Sequence, residues 1–154
     1  MTFLADLRAK GACSEGYAWA RRHKVTSAAD AWARLERPDW MLWLAEHFEV
    51  RLDPGLVQAF SFECADRAVR IHAVAALRSA GLGAEADRLA GLPRVVDVAT
   101  ADAARAAARA ARDAAWAAAG DAAWAAWAAA WAAEELWEAE RLRQLFPDVW
   151  LVAP

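Results

Sequence analysis

The chain has 154 residues, a formal net charge of −3 and two cysteines, Cys13 and Cys64. That length suffices for one domain with a sizeable core. The acidic balance offers no basic field to nucleic acid or to an anionic membrane, and two cysteines make no disulfide framework. Asp6 interrupts the apolar run that a signal peptide needs, so a cytoplasmic location is expected.

No apolar alternation of the strand type occurs, and Ala, Leu, Arg and Glu dominate, so an all-α fold is expected. Gly11 and Gly16 bracket a first turn around Cys13-Ser14, and a helix then carries Tyr17, Trp19 and Ala20. Thr26-Ser27 caps the next helix, with Asp30 at a capping-box spacing from Ser27 and Trp32 on its buried face. Pro38 suits the first position of a third helix. There Trp40, Trp43, Leu44 and Phe48 follow i, i+3, i+4 and i+8, the spacing of one apolar face. Asp53-Pro54 opens a helix holding Phe60 and Cys64, which runs on, unbroken or with one break, to Ala80. Gly81 and Gly83 end it. A short helix from Ala84 to Ala90 is closed by Gly91 and Pro93. Trp19, Trp32, Trp40, Trp43, Leu44, Phe48 and Phe60 are the expected core.

The last third is the most unusual part of the chain. From Ala101 to Ala133, 22 of 33 residues are Ala, and the exceptions fall along a stripe. Thr100 is the expected cap and Pro147 the stop. One helix over 101–146 would span roughly 69 Å at about 1.5 Å per residue, longer than a compact globule of this size. Positions 102, 113 and 124, positions 105, 116 and 127, and positions 109, 120 and 131 are each eleven apart, a repeat that keeps its phase across Gly120. The phase predicts a continuous or gently bent helix, with a hairpin at Gly120-Asp121 as the alternative. Asp121 in mid-segment, at a cost of about 3 kcal/mol in lipid, argues against a membrane span.

The stripe carries Arg105, Arg109 and Arg112, then Trp116, Trp124, Trp127 and Trp131. The four Trp fall within an arc of about 80° at about 100° per residue. Left in water they would make an apolar patch that soluble monomers rarely show. Three covers are open: the N-terminal helices with Trp40 and Trp43, a second copy of the chain, or a foreign protein. The Ala face invites close helix packing, within the chain or between subunits. Glu134, Glu135, Glu138 and Glu140 form an acidic cluster, either a solvated face or a patch steering a basic partner. His23, His47 and His72 are scattered without metal-ligand spacing. No phosphate-binding loop or nucleophile motif occurs. The chain therefore reads as non-enzymatic, with no catalytic residue, cofactor or metal.

Several pieces occur together in an order that resembles a known family. They are Ala12-Cys13-Ser14-Glu15-Gly16 with Trp19-Ala20, then Ala29-Asp30-Ala31-Trp32, then Arg37-Pro38-Asp39-Trp40-Met41-Leu42-Trp43-Leu44. Phe62-Glu63-Cys64-Ala65 and the Ala/aromatic tract follow. This order resembles an Ala-rich helical family of bacteria and phages labelled immunity proteins. That family more often has Gly-Asp-Trp where this chain has Pro38-Asp39-Trp40, and Tyr or Asp in the tract where this chain has Trp. The resemblance implies a small helical protein that acts by binding another protein: a toxin, an effector or a defence component. The setting would be a bacterial cell or a phage-infected host.

The expected organisation is one helical domain over 1–154. A short-helix cap occupies 1–95, a long Ala/Trp helix 100–146 and a tail 147–154, with Trp150 docked back on the bundle. The expected function is an immunity- or inhibitor-type protein that occludes its target through the Arg/Trp stripe and Glu134, Glu135 and Glu138. The alternatives are a phage accessory or anti-defence protein, and a homo-oligomer zipped along the long helix. A further class is a small-ligand binder with a Trp-lined groove between cap and long helix.

Overall fold

A computed structural model describes residues 2–150, leaving aside the side chains of residues 121–124, 126 and 127. The fold is all-α, with no strand among the described residues. The helices are α1 (Phe3–Ala9), α2 (Ser14–Arg22), α3 (Ala28–Arg34), α4 (Pro38–His47), α5 (Pro54–Arg67), α6 (Val74–Ser79), α7 (Gly83–Ala90), α8 (Val98–Ala119) and α9 (Asp121–Leu145). A π-helical segment, Ala68–Ala73, joins α5 to α6. The chain forms two compact units: residues 1–53 with 135–154, called unit 1, and residues 54–134, called unit 2. This division follows neither the 1–95 cap nor the 100–146 helix drawn from the sequence.

In unit 1 the caps explain where the helices start. Ser27 Oγ accepts the Asp30 N–H at 3.0 Å, and the Asp30 carboxylate accepts the Thr26 N–H at 3.0 Å, so the donors left open at the start of α3 are satisfied reciprocally. Pro38 begins α4 as expected. Gly16 lies inside α2 instead of closing the turn before it; the cap is Cys13, whose Sγ accepts the Gly16 N–H at 3.4 Å. The ends of α1, α2 and α4 share one device. A residue with positive φ lets the following N–H reach back five residues: Ala12 to the Leu7 carbonyl after Gly11, Val25 to Ala20 after Lys24, Val50 to Ala45 after Glu49. Met41, Ala45, Ala139 and Leu142 are the most deeply buried of the described residues of this unit. Arg143, near the end of α9, donates to the carbonyls of Trp32 (3.3 Å) and Leu35, which the end of α3 leaves open. Trp150 packs edge-on against Trp32 with ring centroids 6.1 Å apart, as expected of the tail.

In unit 2, Val69, Ala73, Val74, Leu77, Ala86 and Leu89 pack with Ala101, Ala104, Ala111 and Ala115 of α8. The Ala face thus seats its neighbours within the chain, as one of the two sequence readings had it. Asp97, not Thr100, caps α8. Its carboxylate accepts the Thr100 N–H at 2.8 Å, while Thr100 Oγ1 accepts the Asp97 N–H at 3.1 Å, a capping box one turn earlier than expected. Asp66 fastens the segment before α8: it accepts from Val95 N–H (3.0 Å) and Arg70 Nε (2.9 Å). Arg70 in turn donates to the carbonyls of Ala90 (3.1 Å) and Leu92 (2.7 Å).

The expected continuous helix over 101–146 does not form. Gly120 sits at φ +53°, ψ −126°, a backbone conformation essentially closed to residues with a Cβ, and it separates α8 from α9. The eleven-residue phase is a property of side-chain pattern and does not constrain the backbone where Gly interrupts it.

Candidate functional site

Three places in the molecule gather the residues that matter. The first is the Arg/Trp stripe of unit 2. Arg105 pairs with Asp102 at 2.5 Å, Arg112 with Asp113 at 2.9 Å, and Arg109 Nε donates to the Arg105 carbonyl at 3.4 Å. All three Arg are exposed. Such solvated pairs add little stability, on the order of 0–1 kcal/mol. Trp116 is 52% exposed and Trp131 60%. Trp116 lies roughly 105° around α8 from the mean direction of its buried Ala residues, at about 100° per residue, so packing the Ala face leaves it outside. Within unit 2 both indoles are therefore left at the surface. The side chains of Trp124 and Trp127 lie outside the described residues.

The second place corrects the reading of Glu134 as a surface contact. Glu134 is 7% exposed. Its carboxylate takes two hydrogen bonds from Arg67, from Nε at 2.8 Å and from Nη2 at 3.0 Å, and lies 2.6 Å from His72 Nε2. Arg67 and His72 are five residues apart, which in an α-helix would point them about 140° away from each other. The π-helical turn over 68–73, with its i→i+5 bonding, brings them to one side. Burial pushes the Glu134 carboxyl up, but the hydrogen bonds from Arg67 and His72 outweigh it and hold the group below its ordinary value. The sequence showed an acidic run; the register shift that turns one member inward has no simple signal. Glu135 and Glu138 are half-buried and belong to unit 1.

The third place was read as core. Trp19, Trp40, Trp43 and Phe48 are half-buried, whereas Trp32, Leu44 and Phe60 are buried as expected. Trp19, Trp40 and Trp43 wall a cavity of about 310 Å³ inside unit 1, with Phe3, Leu7, Ala12, Leu35 and Leu44 behind them and Cys13 and Asp39 also lining it. Trp19 and Trp40 meet edge-on with centroids 6.3 Å apart. Trp43 stacks on His47 at 4.2 Å, and the Arg37 guanidinium sits 4.7 Å over the Trp40 ring. A Cβ on Gly16 would stand 3.4 Å from Cys13 Sγ and 3.9 Å from the Trp40 ring, in ordinary van der Waals contact. Arg37 donates to Asp39 at 3.0 and 2.7 Å and holds that carboxyl below its ordinary value. Phe48 packs against Phe3 at 5.6 Å. Helical spacing placed the inward face of α4 on Trp40, Trp43, Leu44 and Phe48, but only Leu44 of these is buried, with Pro38, Met41 and Ala45. It could not show that the rings stand around a space.

Two sequence pieces singled out above, Cys13 to Trp19 and Asp39 to Leu44, thus converge on one cavity, formed among the N-terminal helices and not between them and the long helix. Among the described residues no group of three His, Cys, Asp or Glu side chains could hold a metal ion, and no helix is long and apolar enough to cross a membrane. No family model, curated protein or solved structure matches the chain.

Proposed function

We propose that this is a non-enzymatic protein-binding protein of the immunity or inhibitor type, which neutralises a toxin, effector or defence component by covering it. The observation that carries the reading is the exposure of two large indoles, Trp116 at 52% and Trp131 at 60%. Each indole can bury about 150–250 Å², and Trp with Arg is the pair most enriched among residues that dominate interfaces. Arg105, Arg109 and Arg112 supply the polar surround. A second reading, self-association, is favoured by an open groove along Ala107, Ala110, Ala111 and Ala114 of α8 beside Leu89 and Leu92. A second copy's helix would find a smooth seat there.

The test compares the native protein with a Trp116→Ser/Trp131→Ser double variant of unchanged melting temperature. The proposal expects a specific partner from the source cell that binds the native chain and is lost by the variant, with the native chain monomeric in light scattering over a hundredfold concentration range. Concentration-dependent mass that the variant abolishes would replace it with the self-association reading. Identical interaction profiles for the two proteins would end it.

A further inference from the structure

The cavity of unit 1 lies apart from the stripe, and the inference drawn from it does not depend on the protein-binding reading. Tightly packed interiors seldom keep holes larger than a water molecule. Here about 310 Å³ remains in a cleft that opens to solvent where Cys13 and Asp39 are exposed, a volume at the lower end of the range for small-molecule sites, about 300–1,000 Å³. The walls are three indoles with aliphatic side chains behind them. Among the lining residues the one carboxylate is Asp39, and its charge is already answered by the two hydrogen bonds from Arg37. A charged occupant would leave water and find no unanswered opposite charge. An uncharged planar ring would meet ring faces and edges at stacking distances and would lose little hydration.

We infer that the cavity enclosed by Trp19, Trp40 and Trp43 is a binding site for a small, uncharged, planar aromatic molecule. Cys13 stands among the lining residues and is exposed, so it reports occupancy from inside the site, while Cys64 does not line the cavity.

The probes are indole, tryptamine and indole-3-acetate, which share one ring and differ in charge, titrated calorimetrically into the full chain at pH 7. Indole is expected to bind at least tenfold more tightly than either charged analogue, and saturating indole to slow iodoacetamide alkylation of Cys13 about tenfold while leaving Cys64 unchanged. Ala12→Leu, which places a side chain into the cavity, is expected to weaken indole at least tenfold without lowering the melting temperature. The alkylation readout uses the native chain, so the inference stays testable if that variant misfolds. Binding of tryptamine as tight as that of indole would overturn the neutral assignment. No heat up to the solubility limit of indole, or binding that leaves Cys13 equally reactive, would overturn the site.

Discussion

The two units close their interiors with opposite kinds of side chain. Unit 1 builds its N-terminal part from helices of 7, 9, 7 and 10 residues. These meet through Trp, Phe and Leu. Large rigid rings on short helices cannot be adjusted to fill every gap, and the cavity between Trp19, Trp40 and Trp43 is what remains. Unit 2 centres on the 22-residue α8, which meets its neighbours through Ala side chains. Surfaces that end at Cβ come together closely, and a Trp on such a helix has no place inside, so Trp116 faces solvent. Both units hold their loops with Arg side chains that donate to open carbonyls: Arg143 to Leu35 in one, Arg70 to Leu92 in the other. Tryptophan thus lines the interior of one unit, half-buried at Trp19, Trp40 and Trp43, and stands at the surface of the other.

If ionic clasps and not aromatic bulk lock unit 2, removing its buried carboxylate should be the most damaging of the changes considered. Glu134→Ala leaves Arg67 and His72 facing a lost partner. Breaking a buried pair on one side costs about 3–5 kcal/mol, and the lower end applies because the Arg67 side chain keeps 26% of its surface in water. Urea denaturation should show a loss of about 3 kcal/mol. The native carboxyl is held below its ordinary value, so its contribution is complete above the unfolded carboxylate pKa of about 4.3 and disappears as pH falls through the lower folded value. Glu134→Gln should flatten that acid limb. A variant as acid-sensitive as the native protein would place the acid response elsewhere.

How much of this was legible beforehand differs between the units for the same reason. Helix starts are encoded by local side chains, so Ser27 and Pro38 marked α3 and α4 correctly. Thr100 was assigned one turn late because it occupies the third position of a box whose cap is Asp97. Helix ends were legible at Gly11 and Gly81 but not at Lys24 or Glu49, which take positive φ without being Gly. Apolar spacing identified Leu44 and Trp32 as buried. It misjudged Trp40 and Trp43, since Pro38, Met41 and Ala45 take the inward side of α4 and leave the two rings at its edge. Glu134 was misread because its environment depends on a π-helical turn and a contact 62 residues away in sequence.

Adding bulk tests the packing contrast directly. Ala101 is 1% exposed on the face of α8 that meets its neighbours. Ala101→Leu should overpack that interface and cost about 2 kcal/mol. Ala12→Leu enters open volume and should change stability by less than about 0.5 kcal/mol, in either direction. Measured side by side by thermal unfolding, equal penalties at the two positions would erase the distinction between a tight Ala interior and a hollow aromatic one.

A smaller loss than that at Ala101 is expected at the junction of α8 and α9. A Cβ on Gly120 would meet nothing within 4 Å, so any penalty for Gly120→Ala is conformational and not a clash with neighbours. Two tendencies oppose each other. Ala favours a helix over Gly by about 1 kcal/mol, and the eleven-residue pattern is already in phase for a continuous rod. Against this, Ala at φ +53°, ψ −126° is strained by about 1–3 kcal/mol unless the backbone leaves that conformation. Joining the helices would require the elements anchored by Asp97 at one end and by Arg67 and His72 on Glu134 at the other to move together. The anchors outweigh the local preference, so the variant should keep its far-UV ellipticity and lose about 1 kcal/mol. A gain in ellipticity without loss of stability would mean instead that Gly alone holds the two helices apart, and that the stripe from Arg105 to Trp131 becomes one continuous surface when it is replaced.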